Sequence, residues 1–163
     1  MIEDGVLAGK TDSDWMIGSD VTCLLRASAL IIKNGCLLAA KSVNYDCYYT
    51  VGGGIKINET SEEAVLREVY EETGYNLEID RLAFIQERFF TIDDRQYHEI
   101  NFFYLIKESP GMDISNNSGT DLGTETLHWL PLNSLNEVYL VPSFLKTKAL
   151  NNITALEHII SRE

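Results

Sequence analysis

The chain has 163 residues, 13 of them Lys or Arg and 25 Asp or Glu, for a formal net charge of −12. At 45% hydrophobic and 23% charged it is ordinary globular material, long enough for one domain that buries roughly 70% of its unfolded surface, and not a disordered or low-complexity chain. The acidic balance argues against a nonspecific nucleic-acid binder, which needs a basic face, but it leaves room for a small phosphorylated ligand whose charge bound cations neutralise.

Residues 1–20 read as a polar arm with little pattern, apart from an edge segment around Trp15, Met16 and Ile17; residues 21–163 read as one domain without linker or repeat. Two β-branched and aliphatic runs, 21–33 and 36–43, flank Asn34-Gly35, a dipeptide that marks a tight hairpin. A short strand at 48–51 leads into Gly52-Gly53-Gly54, where regular structure is expected to break. The next stretch predicts a helix with both ends marked: Thr60 and Glu63 make a capping box, and Gly74 stands at the left-handed closing position. Leu66, Val69, Tyr70 and Thr73, at i, i+3, i+4 and i+7, predict its buried stripe.

Two long strands, 77–92 and 96–107, form a second hairpin around Asp93-Asp94-Arg95. The stretch 108–124 is rich in Ser, Gly, Asn and Asp, and is either a loop over a site or surface filler. A strand at 127–130 precedes two amphipathic helices near 142–149 and 152–161. Strands on both sides of a central helix, with helices at the end, predict an α/β chain of the α+β type, a mixed sheet packed by helices on its faces.

No run approaches the ~20 apolar residues of a membrane span. The first 20 residues carry Glu3, Asp4, Asp12, Asp14 and Asp20 against Lys10 alone, which is not a signal-peptide pattern, so a cytoplasmic chain without membrane partners is expected. Cys23, Cys36 and Cys47 are odd in number and lack a Cys-x-x-Cys pair, which fits reduced thiols. His98, His128 and His158 are scattered, and a histidine-ligated metal is not expected.

Most of the chemistry lies between Gly52 and Tyr75. Glu68, Glu71 and Glu72 stand at i, i+3 and i+4 and share one helix face, read here as opposite the apolar stripe. A solvated acidic face is the ordinary explanation of such a run. Three features weigh against it. Like charges at this spacing oppose the helix by ~0.2–0.5 kcal/mol per pair. Glu71 and Glu72 lie in the last turn, where the helix dipole disfavours anions. No Lys or Arg occupies i+4 from any of the three. If the face is partly buried, repulsion at ~6 Å and an effective dielectric of ~20 approaches ~3 kcal/mol per pair, which protonation or a bound cation must relieve. Carboxylate oxygens suit Mg2+ or Mn2+ rather than Zn2+.

Gly53, Glu59, Arg67-Glu68-Val69, Glu71-Glu72 and Gly74-Tyr75, separated by five, seven, one and one residues, resemble the Nudix box of the Nudix hydrolase family. Chance occurrence of this pattern at average residue usage is roughly a one-in-ten-million event. The preceding hairpin, the following strand pair and the Trp129-Leu130-Pro131 segment resemble the family's usual order as well. Tyr75 stands where the family prefers a bulky aliphatic, and Val51 where many members have Pro.

The resemblance implies a Nudix fold, an α/β/α sandwich with a mixed sheet and a loop–helix–loop box. It implies Mg2+- or Mn2+-dependent hydrolysis of a diphosphate linkage in a nucleoside diphosphate joined to a group X. Glu68, Glu71 and Glu72 would hold the metal, with Glu68 alternatively serving as or orienting the base, and the Gly52 carbonyl would add a contact. Gly53 would permit close backbone approach to substrate, and Arg67 with Glu59 would form a supporting ion pair.

The family often adds one glutamate from outside the box. Glu99 is the first choice, because Glu99 and Asn101 share a strand face that reads as turned toward a wet cleft; Glu87 is the second. Arg26, alone in an apolar strand, is a candidate for phosphate, and Tyr49 with Tyr45, Tyr48, Phe89, Phe90 and Tyr97 for stacking on a base, although each aromatic is more often core packing. A (deoxy)nucleoside triphosphate is the default substrate. The competing reading is a Nudix domain that senses a nucleotide without cleaving it. Some family members pair, which leaves a homodimer open.

Overall fold

The computed structural model describes residues 15–16, 20–116, 118–119 and 125–163. Apart from Trp15–Met16 and Asp20 the polar arm lies outside the described residues, as do residues 117 and 120–124 of the long connector.

Asn34 and Gly35 have φ of +51° and +73°, the left-handed pair that a two-residue hairpin turn requires. They join β3 (Ile32–Lys33) to β4 (Cys36–Ser42). The apolar run before the turn is not one strand. Its first part, β2 (Val21–Leu30), belongs to one sheet and β3 to another, and Ile31 carries the chain between them.

The first sheet has the order β1 (Trp15–Met16), β2, β8 (Arg95–Ile106), β7 (Ile79–Ile92) and β12 (Glu157–Arg162), with β6 (Gly52–Gly54) also on β2. It is mixed: β2 runs parallel to β8 and β12 parallel to β7, while β7 and β8 form an antiparallel hairpin. That hairpin turns on Asp93 and Asp94, both at positive φ, and Arg95 already belongs to β8. The second sheet has the order β11 (Leu140–Val141), β5 (Tyr48–Thr50), β4, β10 (Glu125–Pro131) and β9 (Ser118–Gly119), with β3 on β4.

Gly52-Gly53-Gly54 does not break regular structure. It pairs antiparallel with β2, Ala27 opposite Gly53 and Ser28 opposite Gly52. Glycine makes the pairing possible: Gly52 has φ +145°, and a Cβ there would lie 2.3 Å from the Ala27 carbonyl oxygen. Helix α1 (Ser61–Thr73) follows, with the expected capping box at Thr60 and Glu63 and Gly74 closing it at φ +76°.

Strand alternation divides the core in two. On one face Ala27, Ala29, Leu38, Ala40, Val51 and Tyr104 pack with Ala64, Val65 and Val69 of α1. On the other, Leu30, Leu37, Phe84, Phe103 and Leu130 pack with Leu135 and Leu145. These last two belong to short 3-10 helices, Leu132–Glu137 and Ser143–Thr147, which form the second covering layer.

Two helix expectations are corrected. The segment near 142–149 makes only the five-residue 3-10 turn, and 152–161 is not helical. Residues 157–162 pair instead with the edge of β7, from Glu157 opposite Phe84 to Arg162 opposite Phe89. Ile159 packs into the core while Ile160 stays 61% exposed. Pairing with a waiting sheet edge outweighs a weak helical pattern that includes Ile159-Ile160, two β-branched residues.

The stripe of α1 is also rotated from its expected phase. Ala64, Val65, Val69 and Glu72 are buried, whereas Tyr70 is 51% exposed. Ala64 and Val65 settle the helix on the sheet, with Leu66 packed at the margin of that core and Tyr70 outside it, and this turns Glu72 inward.

Candidate active site

The site is built where the glycine strand β6 meets α1. A Cβ on Gly53 would stand 2.4 Å from Glu68 Oε1, so the glycine leaves the space that the Glu68 carboxylate fills. The Gly52 N–H donates to Glu72 Oε1 at 2.9 Å. Arg67 ties helix to loop. Its Nε and Nη2 donate to the two oxygens of Glu59 at 2.7 and 2.9 Å, and Nη2 also donates to the Gly54 carbonyl at 3.0 Å. Nη1 reaches Glu68 Oε1 at 2.5 Å and Glu71 Oε2 at 3.2 Å. The acidic face is therefore not without a cation: Arg67 lies at i−4 from Glu71, a place that a search of the i+4 positions does not visit.

Burial grades the three carboxylates. Glu72 is buried, Glu68 keeps 16% of its side chain exposed, and Glu71 keeps 46%. Burial pushes the Glu72 carboxyl up to about 8, with the charges of Glu125 and Glu68 adding to the shift and the Gly52 N–H opposing it. Burial likewise raises Glu68, against the pull of Arg67. Glu59 is held below the usual carboxylate range by Arg67. Because a lysine offers one point charge where Arg67 offers a fork, Arg67→Lys is expected to cost about 1–3 kcal/mol through acceptors left unpaired. Urea unfolding checks this, and a wild-type midpoint would show that the fork is dispensable.

The residues proposed from outside the box fall on different faces. Glu99 is buried, shares its sheet face with Phe103 and stands 3.9 Å from Arg26, away from the face that carries α1. Asn101 beside it is also buried and donates to Ser28 Oγ at 3.0 Å, so this row is enclosed rather than turned to a wet cleft. Arg26 keeps 37% of its side chain exposed, and its charge acts on Glu68, Glu72 and Glu99 alike. Glu87 is engaged elsewhere, 2.8 Å from His158 Nε2 and 3.8 Å from His98 Nε2.

Among the aromatics, Phe90 stacks on Tyr97 and Phe89 on His98 within the long hairpin, and Tyr48 packs edge-on to His128. Tyr45 is 69% exposed. Tyr49 alone of these six joins the carboxylates, donating its hydroxyl to Glu125 Oε1 at 2.6 Å.

Glu125 is the residue that sequence reasoning missed. It opens β10, and strand alternation puts it on the face of Leu127 and Trp129, which pack in the α1-side core. The spacing Glu125, Leu127, Trp129 carried that signal, but it sat next to a polar connector. The described part of that connector is held down: Tyr75 Oη bonds the Asp113 backbone, and Trp129 Nε1 donates to the Ile114 carbonyl at 2.8 Å. Met112 is buried and Ile114 packs on the core, so the connector is anchored at 112–114, and the aromatic Tyr75 has a use there.

The donor set fits a hard divalent cation. Its ligand atoms are carboxylate oxygens, and Glu72 Oε2 is buried without a hydrogen-bond partner among the described residues. Among those residues no three His, Cys, Asp or Glu side chains form a ready-made cage. Arg67 draws Glu68 and Glu71 while Gly52 draws Glu72, an open arrangement that suits Mg2+, which keeps water and phosphate oxygens as ligands.

A family model for the NUDIX domain matches residues 23–149. The chain belongs to the Nudix family. A MutT-like protein of Streptomyces ambofaciens is 38% identical over 57 residues, a stretch that is 35% of this Nudix chain and 37% of that relative. The chain thus matches about a third of that curated relative's length. Among solved structures, a MutT protein from Bacillus halodurans is similar with a TM-score of 0.61 at 14% identity, covering 83% of this chain and 89% of that one. An ADP-ribose pyrophosphatase from Streptococcus suis gives 0.56 at 18% identity, covering 85% and 98%. At these identities the structures establish the shared Nudix fold. No helix among the described residues is long and apolar enough to cross a membrane.

Proposed function

We propose that this Nudix chain hydrolyses a phosphoanhydride in a nucleoside diphosphate joined to a group X, a (deoxy)nucleoside triphosphate being the default substrate, with Mg2+ or Mn2+ as cofactor. The observation that carries the reading is the set of three carboxylates on one helix, backed by a glycine strand and graded in burial around Gly52 and Gly53. Glu68, Glu71, Glu72 and the Gly52 carbonyl would hold the cation. When bound, the cation neutralises the diphosphate and makes a better nucleophile of its water.

The chain's own groups divide the remaining work. Arg67 and Glu59 fix α1 to the loop, so the carboxylates are placed before substrate arrives. Glu68, whose carboxyl burial raises against the pull of Arg67, is the candidate to accept or orient a proton. Arg26 offers its partly exposed guanidinium to phosphate oxygens, with Glu99 orienting it. The three cysteines are free thiols, which supports a cytoplasmic location.

A substrate panel tests the proposal: nucleoside triphosphates, ADP-ribose, NADH, nucleotide sugars and dinucleoside polyphosphates, each with Mg2+ or Mn2+ and with product identification. Cleavage of one class at a phosphoanhydride is expected, with Glu68→Gln slower by orders of magnitude and Glu99→Gln by a smaller factor. Binding of one ligand without cleavage would favour a sensing domain instead.

A further inference from the structure

Tyr49 lies on β5 beside Ala40 of β4, and Ala40 lies beside Leu127 of β10. The phenol of Tyr49 crosses β4 to reach Glu125, two strands away. At ~4.8 Å per strand spacing, that reach is open only because the intervening residue is small, and Ala40 is fully buried there. Three residues further along the same segment, the Gly52 N–H holds Glu72. The 49–52 segment thus grips two carboxylates, one from β10 by a side chain and one from α1 by the backbone.

We propose that Tyr49 is a positioning residue for the cation site, its phenol holding Glu125 beside Glu72 so that Glu125 adds charge to the box carboxylates. The inference rests on the reading of the box as a cation platform. It accounts for an arrangement that is costly by itself. Glu125 acts as a like charge on Glu72, yet the fold spends a strong hydrogen bond on keeping it there. A purely structural link across the sheet could have ended on a neutral acceptor. A tyrosine ending on a carboxylate beside another buried carboxylate makes sense if a cation shares them. Stacking on a base, for which Tyr49 is one candidate by sequence, would use the ring face, whereas the hydroxyl end is committed to Glu125.

The test is Mn2+ binding, followed by the electron-spin signal of the free ion, on the full chain as wild type, Tyr49→Phe, Glu125→Gln and the double variant. Phenylalanine keeps the ring and its packing, and a melting curve on each protein records any structural cost separately. Tyr49→Phe is expected to weaken Mn2+ binding about tenfold, the low end for partners that orient a metal ligand. The double variant should bind no more weakly than Glu125→Gln alone, because Tyr49 acts through Glu125. Wild-type Mn2+ affinity in Tyr49→Phe, whatever its melting temperature, would overturn the proposal. So would losses that simply multiply in the double variant. A wild-type protein that binds no Mn2+ would instead bring down the cation platform, on which this inference rests.

Discussion

Glu72→Gln is expected to lower turnover by orders of magnitude and, in the presence of a chelator, to leave the protein more stable than wild type near pH 8. The two effects have one origin. Glu72 lies on the inward face of α1 with one oxygen on the Gly52 N–H and the other without a partner among the described residues. Burial raises its carboxyl to about 8, against about 4.3 in an unfolded chain. Between those values the folded protein holds a proton that the unfolded chain has released. The stability contributed by that proton is complete below the unfolded value and is lost as pH rises through the folded one. Linkage puts the loss at a few kcal/mol, an order of magnitude only.

Glutamine does not titrate, so the difference in melting temperature between variant and wild type should widen from pH 5 to 8 and then level off. Mg2+ should raise the melting temperature of the wild type but hardly that of the variant, because ligands stabilise the state they bind. Near-normal turnover in Glu72→Gln would sink its place among the metal carboxylates. A melting difference that does not vary with pH would show that Glu72 is not held protonated.

The box was legible because its spacing is rigid in the chain: both helix caps and the shared face of the three carboxylates followed from sequence separation, and the Arg67 and Glu59 pair from the family resemblance. The hairpin turns at Asn34-Gly35 and Asp93-Asp94 were legible for a similar reason, since positive φ at two adjacent residues selects few residue types. What local patterns could not show depended on partners distant in sequence. The strand 157–162 exists because β7 offers an edge, and no local window shows that edge. The inward turn of Glu72 follows from which small residues of α1 meet Ala27 and Ala29, a choice made by packing. Glu125 was hidden because its importance comes from Tyr49, 76 residues away. Glu99 drew attention as a glutamate among aromatics, yet strand alternation puts it on the face that α1 does not cover. Alternation told the two faces of each strand apart but not which face would meet the helix.

Gly53→Ala is expected to leave the fold nearly intact and to lower turnover by about 100-fold or more, the scale of a 1 Å misplacement of a reacting group. Gly52→Ala, one residue earlier, should do the reverse and fail first in stability. The new Cβ at Gly53 would meet the end of the Glu68 side chain, 2.4–2.6 Å from its carboxyl atoms. That carboxylate can swing away, so the backbone need not move, but Arg67 Nη1 then keeps only Glu71 as a partner and Glu68 leaves its place. At Gly52 the obstacles are the Ala27 carbonyl oxygen at 2.3 Å and the Ser28 Cα at 2.7 Å, both backbone, and φ is +145°. Neither strain nor clash has a soft direction there, and the cost should exceed about 3 kcal/mol. Chemical denaturation and turnover, measured on both variants, separate the two effects. Equal stability losses would mean that Glu68 cannot yield and is as much part of the fold as β2. A fully active Gly53→Ala would mean that the position of the Glu68 carboxylate, and with it the assignment of Glu68 as ligand or base, does not govern the reaction.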